Sequence, residues 1–268
     1  MTPGVAAHVV ERPDGVGIHW EERGQGPCVL LVHHALWSHP GIYHGLLDEL
    51  AGDHRVVVYD PRGCGASTAR RPYDMETDAD DLEAVLEAAG SAAVSIAVGD
   101  GLNRAARVAA RRPDLIANVI AIAPTPGALL PRSELAGSEV LGASESVIDM
   151  LIKLMTTDPR SALRTMISAV NPDLDEAQLR ERVNAVADYL TAEAAVERAS
   201  AWLDDDARDY LRALGERLWI IYGGPDPLFE GILETRVTEL FPEAKVEELE
   251  DGPVSRPELT AERVRRLT

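Results

Sequence analysis

Cysteine is scarce in this 268-residue sequence, which contains only Cys28 and Cys64. Two cysteines are too few for a disulfide framework or for a zinc cluster. The sequence also lacks an apolar run long enough to span a membrane, and it opens without the charged and apolar regions of a signal peptide. These absences predict a cytoplasmic protein.

Positive charge is scarce as well. Lys and Arg number 26 against 45 Asp and Glu, which gives a formal net charge of −19 at pH 7. A surface this acidic repels phosphate backbones and anionic membranes, so we expect neither nucleic acid nor a membrane as a partner. The expected partner is a small-molecule ligand or substrate, and a homodimer is left open.

Apolar strands alternate with amphipathic helices in the first half of the sequence. The stretch GVGIHWEERG, residues 15–24, predicts an edge hairpin strand, and three apolar runs predict buried strands at Cys28–Val32, Val56–Tyr59 and Val94–Val98. Helical spacing predicts one helix over 74–89, capped by Thr77 or Asp78, and another over Leu102–Arg112. The alternation predicts an α/β fold with a mostly parallel, doubly wound sheet.

The strand pattern stops after residue 124 and returns near residue 215. Between them, segments such as SALRTMISAV, EAQLRERVNAVADYL and DARDYLRALG have helical periodicity, and strands resume with RLWIIYGG and AKVEELE. We therefore predict a core domain formed by 1–124 and 215–268, with 125–214 inserted as a helical cap.

Four local motifs occur in order on this layout: LLVHHALW, YDPRGCGAS, SIAVGDGLN and IIYGGPDPLF. Together they resemble the α/β-hydrolase superfamily with an inserted helical cap, over nearly the whole chain. The resemblance implies that LLVHHALW is the oxyanion loop, with Ala35 as a backbone donor, and that YDPRGCGAS is a structural loop. It also implies that SIAVGDGLN is the nucleophile elbow and that Asp226 stands at the position of the triad acid.

The elbow lacks a serine or cysteine. The elbow turn is crowded, so small residues are needed two positions before and two positions after the nucleophile. AVGDG fits this pattern with Gly99 in the nucleophile position. Two other registers stay open, with Asp100 or Gly101 in that position. An Asp100 register resembles the aspartate nucleophile of epoxide hydrolases and haloalkane dehalogenases.

The general base of the family is missing too. The family places a histidine after the last strand, where this sequence has Pro253 in LEDGPVSRPEL. All seven histidines lie at or before position 54, so no later histidine can accept a proton from a nucleophile. Gly99, Asp226 and Pro253 are therefore interpreted as vestigial triad positions, with Asp226 as a turn or capping residue.

Acid and base candidates concentrate in HHALWSHPGIYHG. A bulky His34 in the usual glycine position of the oxyanion loop is expected to point into the cavity or to rearrange the loop, and a neutral imidazole there can act as acid or base. His33, His34 and Asp100 are the catalytic candidates, although Asp100 also suits the start of a helix as a cap. Ala35, Trp37, Tyr43 and Gly99 are expected to contact the ligand. His39 and His44 lack a carboxylate partner at a metal-binding spacing, so we expect no metal and no cofactor.

Three functions are compatible with these residues. The first is non-hydrolytic acid–base chemistry on a small organic molecule, such as cyclisation, elimination or isomerisation, with the oxyanion-loop histidine as the acid or base. The second is a catalytically inactive ligand-binding or scaffold protein. The third, an epoxide or halide hydrolase with Asp100 as nucleophile, lacks a base for its second step.

Overall fold

An eight-stranded sheet organises the chain in the computed structural model, which describes residues 4–36, 38–90, 93–122, 124, 150–171, 173–223, 233–249 and 257–268. The strands are β1 (Ala6–Glu11), β2 (Gly17–Arg23), β3 (Cys28–Val32), β4 (Arg55–Tyr59), β5 (Ala93–Val98), β6 (Ile116–Ile122), β7 (Leu218–Gly223) and β8 (Lys245–Leu249). Their order across the sheet is β1-β2-β4-β3-β5-β6-β7-β8.

Most strand pairs are parallel. β3 pairs with β4 and β5, and the parallel pairing continues from β5 through β8, whereas β1–β2 and β2–β4 are antiparallel. Every residue of β3 and β5 is buried, as expected for strands covered on both faces. The predicted doubly wound α/β fold is confirmed.

The edge prediction was wrong for β2. This strand lies between β1 and β4, and β1 takes the edge. The side chains of β1 are exposed or half-buried, so its sequence, AAHVVE, carries no clean alternation that would have identified a strand.

The predicted helices over 74–89 and Leu102–Arg112 are confirmed, with small shifts at their ends. The helices with bounds inside the described ranges are α1 (His44–Leu50, after a 3₁₀ turn over Pro40–Tyr43), α2 (Met75–Ala89), α3 (Gly101–Arg111), α4 (Pro159–Val170), α5 (Glu176–Tyr189), α6 (Ala192–Leu203), α7 (Arg208–Leu214), α8 (Leu233–Leu240) and α9 (Pro257–Arg265).

The cap of α2 is Asp74, not Thr77 or Asp78. The Asp74 side chain accepts a hydrogen bond of 2.7 Å from the Thr77 backbone N–H. Asp78 is buried instead and pairs with Arg198 of α6, so its carboxylate is used between helices rather than at a helix end.

Helices α4 to α7 follow one another between β6 and β7. Helix α6, with the sequence AEAAVERASAWL, was not predicted. Its buried Arg198 donates to both oxygens of Asp78 and, at 2.8 Å, to the Arg62 carbonyl. These contacts attach α6 to α2 and to the loop that follows β4.

Apolar side chains fill both faces of the sheet. One face packs against α2 and α3, and Ala105 and Ala109 of α3 are fully buried there. The other face packs against α1 and α9, through residues such as Leu47 and Val264. Within the described parts of the chain, no helix has the length and apolar character needed to cross a membrane.

Candidate active site

Two loops meet at the carboxyl edge of the sheet. β3 and β5 are parallel neighbours, so the loop that follows each strand emerges at the same edge. The first loop carries His33, His34 and Ala35, and the second carries Gly99 and Asp100 before α3 begins at Gly101. Five of the residues singled out in the sequence therefore lie together.

Gly99 turns the chain between β5 and α3. Its φ is +57°, in the left-handed region that side chains other than glycine rarely adopt. A Cβ atom at this position would lie 2.4 Å from Nδ1 of His34 and 2.7 Å from its Cγ. The His34 ring thus occupies the space into which a side chain at position 99 would project.

His34 is paired with the carboxylate of Asp100. Nδ1 of His34 lies 2.5 Å from Oδ1 of Asp100, and both side chains are buried. The Asp100 backbone N–H lies 3.1 Å from the same nitrogen. Nδ1 cannot donate and accept at once, and we assign the proton to Nδ1 because the ionised carboxylate is the stronger acceptor.

Asp100 is ionised in this environment. Burial opposes ionisation, but the charge of Arg104 and the contact with His34 outweigh it and hold the pKa of the carboxyl well below its usual range. Oδ1 also accepts the Ala35 backbone N–H at 2.8 Å, and Oδ2 lies 3.2 Å from Nη2 of Arg104. Asp100 stands at the N-terminus of α3, yet its side chain makes no capping hydrogen bond there. It bonds across to the other loop.

Arg104 was not singled out from the sequence. It is fully buried and donates to the His33 carbonyl at 2.6 Å and to the Tyr59 hydroxyl at 3.1 Å, besides its contact with Asp100. The available signal was its spacing of four residues from Asp100, which places the two charges on one side of α3. Arg104 neutralises the carboxylate and ties both loops together.

His33 faces the helical region. Its Nε2 lies 2.9 Å from the hydroxyl of Tyr189, at the end of α5, and that hydroxyl donates at 2.9 Å to Oδ1 of Asp60. Because the tyrosine proton is used toward Asp60, the proton between His33 and Tyr189 belongs to Nε2. Burial lowers the pKa of His33 well below its usual value, and the charge of Arg104 lowers it further, so the ring is neutral.

Asp60 belongs to the loop interpreted as structural, and neither it nor Tyr189 was predicted as a site residue. Besides Tyr189, it accepts the Ala66 backbone N–H at 3.0 Å and lies 2.9 Å from Nδ1 of His19, both through Oδ2. A Cβ at position 65 would lie 2.3 Å from Oδ2, so Gly65 leaves the space that this carboxylate needs. The loop interpreted as structural thus also carries a site contact.

Of the remaining predicted residues, Tyr43, His39 and His44 are described, and the His39 ring packs edge-on against the Tyr189 ring, with 4.9 Å between the ring centroids. Tyr43 is buried beside α1, its hydroxyl 3.4 Å from Oγ of Ser38, and burial raises its pKa to about 12. His39 lies at the start of the 3₁₀ turn, and His44 begins α1. Trp37, Asp226 and Pro253 fall outside the described residues. Across the described ranges, no group of three or more His, Cys, Asp or Glu side chains could hold a metal ion.

Comparisons with known proteins agree with this architecture. A family model described as "alpha/beta hydrolase fold" matches residues 29–253. A curated relative, "Probable oxidoreductase EphD" of Mycobacterium tuberculosis, is 38% identical over 90 residues, which span 30% of this chain and 14% of that protein's length. The chain therefore covers only a small part of that relative.

Two solved structures match over almost the full length. An esterase from Exiguobacterium antarcticum superposes with a TM-score of 0.83 at 19% identity, covering 97% of this chain and 98% of the esterase. A bromoperoxidase from Bacillus anthracis gives a TM-score of 0.78 at 20% identity, with 98% of both chains covered. At these identities the likeness concerns the fold.

Proposed function

The chain belongs to the alpha/beta hydrolase fold family, and we propose that it binds a small organic molecule and moves a proton on it without hydrolysing it. The proposal includes a degenerate triad. Gly99 supplies no attacking atom at the elbow, and no histidine follows position 54 to serve as the usual base.

The pairing of His34 with Asp100 is the observation that supports the proposal. A carboxylate 2.5 Å from Nδ1 fixes the proton on that nitrogen and orients the ring, as the acid of a triad does for its histidine. With Nδ1 protonated, Nε2 is the nitrogen that can take or return a proton. Cyclisation, elimination and isomerisation need such a group and no covalent intermediate.

Asp100 is less suited to act as a nucleophile itself. Its side chain is fully buried, Oδ1 contacts His34 and Ala35, and Oδ2 contacts Arg104. A carboxylate stabilised by this many donors is a weak nucleophile, since attack requires breaking those bonds. The geometry therefore favours Asp100 as the residue that orients His34.

One contact favours a second candidate, ligand binding without turnover. The Ala35 N–H, which would stabilise an oxyanion, is already donated to Oδ1 of Asp100 at 2.8 Å. A ligand oxygen would have to compete with that carboxylate. If the ligand oxygen does not displace the carboxylate from the Ala35 N–H, the site binds the ligand without transforming it.

Two probes distinguish these functions. p-Nitrophenyl acetate reports hydrolysis, and 5-nitrobenzisoxazole reports a general base through its ring opening. We expect no ester hydrolysis above buffer, together with a measurable ring opening that falls about tenfold or more in H34A and H34Q, because a positioned base contributes at least that factor. H44Q, at the first residue of α1, is the control and should retain the rate.

Circular dichroism must first show that the variants are folded, and each result then distinguishes between the proposed functions. Ester turnover would contradict the degenerate triad. Ring opening that is unchanged in both His34 variants would contradict the role of His34. No ring opening by the unmodified protein would favour the binding protein over the enzyme.

A further inference from the structure

His33, Tyr189 and Asp60 form a chain of hydrogen bonds, and Asp60 at its outer end determines which group donates in each bond. Asp60 receives three groups: the Ala66 N–H and the His19 ring at Oδ2, and the Tyr189 hydroxyl at Oδ1. A carboxylate can only accept, so the tyrosine must donate outward to Oδ1. The Tyr189 oxygen then accepts from His33, which requires a proton on Nε2.

The inner end of the chain is Nδ1 of His33. The side chain is fully buried and neutral, and this nitrogen has no hydrogen-bond partner among the described residues. With the only ring proton on Nε2, Nδ1 is a bare acceptor. A buried acceptor without a partner is destabilising unless a ligand or a water donates to it.

We propose that Asp60, acting through Tyr189, fixes the tautomer of His33 so that Nδ1 is presented as an acceptor, and that the ligand of this site donates an O–H or N–H group to it. An alcohol, enol, amide or amine fits this requirement. A ligand that offers only a carbonyl or ether oxygen finds no proton there. The inference rests on the proposed function for the presence of a small organic ligand.

Asp60 and Tyr189 are positioning residues in this arrangement, since they act on the ligand through His33. Tyr189 belongs to α5, and its backbone carbonyl also accepts the Gly65 N–H at 2.6 Å. The helical region is therefore joined to the Asp60 loop at the same residue that sets the tautomer.

Asp60→Asn tests the inference without any ligand. The Ala66 N–H needs an acceptor at the Oδ2 position, so an amide at position 60 places its oxygen there and its NH2 group toward Tyr189. The tyrosine then accepts from the amide and donates to Nε2 of His33, and the ring proton moves to Nδ1. Nitrogen-15 NMR of the histidine side chains distinguishes the two tautomers directly.

We expect the Nε2–H tautomer of His33 in the unmodified protein and the Nδ1–H tautomer in D60N. Y189F should show neither fixed state, because the bridging hydroxyl is gone. E22Q is the matched control, since Glu22 and Asp60 line one surface groove, and Glu22 contacts His8 and Arg55 rather than Tyr189. It should leave the tautomer unchanged.

An Nδ1–H tautomer in the unmodified protein, or an Nε2–H tautomer that persists in D60N, would overturn the inference. Neither result depends on His34 or on turnover. A failure here is therefore distinguishable from a failure of the proposed acid–base role of His34.

Discussion

On the elbow side of the loop after β3, His34 donates from Nδ1 to Asp100, whose charge Arg104 balances inside the sheet domain. On the cap side, His33 donates from Nε2 to Tyr189 of α5, and the chain ends at Asp60 beside a surface groove. Two consecutive imidazoles thus hold opposite tautomers.

The difference lies in what fixes each ring. His34 contacts a buried carboxylate whose charge is balanced by Arg104 on the same helix, α3. His33 is held by a neutral hydroxyl from the helical region, so any displacement of α5 removes its partner. The position of His34 is therefore fixed by buried charges, whereas the position of His33 depends on how α5 packs against the loop after β3.

Removing the charge that balances Asp100 should produce the largest effect. Arg104→Leu leaves a buried carboxylate without its cation, and we expect the free energy of unfolding to fall by about 3–5 kcal/mol. Urea unfolding monitored by circular dichroism measures the change. Arg164→Leu is the control, because the pair of Arg164 with Glu176 is exposed and such pairs contribute about 1 kcal/mol or less.

The double variant R104L/D100N sharpens the same comparison. It removes both buried charges, so part of the lost stability should return. If R104L alone unfolds with the stability of the unmodified protein, the elbow side is not held by this ion pair, and the contrast with the cap side fails.

Filling the space at Gly99 should have an intermediate effect. Gly99→Ala forces a Cβ into contact with the His34 ring at a φ of +57°, and we expect a loss of about 1–3 kcal/mol in the free energy of unfolding. Gly90→Ala is a matched control, since Gly90 has a φ of +71° and nothing lies within 4 Å of a Cβ there. It measures the cost of the backbone conformation alone.

The excess of G99A over G90A is the cost of the contact with His34. That excess should disappear when G99A is made in the H34A background, where the ring is absent. Equal losses at both glycines would show that His34 does not occupy the side-chain space of the elbow.

Sequence reasoning predicted the fold more fully than the site, for a physical reason. Strands such as β3, predicted and found at Cys28–Val32, are specified by local apolar runs that can be read directly. The edge strand β1 has no such run and was missed, and α6 was missed as well.

The site depends on contacts between distant residues. His34 and Asp100 lie 66 positions apart, and Tyr189 and Asp60 lie 129 positions apart. The family resemblance predicted that one edge of the sheet holds His33, His34, Ala35, Gly99 and Asp100, because the ends of parallel strands meet there. Nothing in the sequence indicates that Tyr189 of α5 reaches Asp60, since that contact is set by how the helices dock.

The smallest expected effect concerns the cap side and its pH dependence. The pKa of His33 is lowered in the folded protein, mainly by burial, whereas an unfolded chain has a histidine pKa of about 6.5. Above that value His33 is neutral in both states and the stability it contributes is fully present. As the pH falls through it, the unfolded chain gains a proton that folded His33 does not, so this contribution is lost with a slope of up to about 1.4 kcal/mol per pH unit.

His33→Gln should remove that slope while keeping an N–H donor for Tyr189. We expect the free energies of unfolding of the variant and the unmodified protein to differ by a constant above about pH 7 and to converge as the pH is lowered. Urea unfolding across that range measures the difference. A difference that stays constant at every pH would mean that His33 titrates alike in both states, and His33 would then not be the buried, neutral imidazole inferred here.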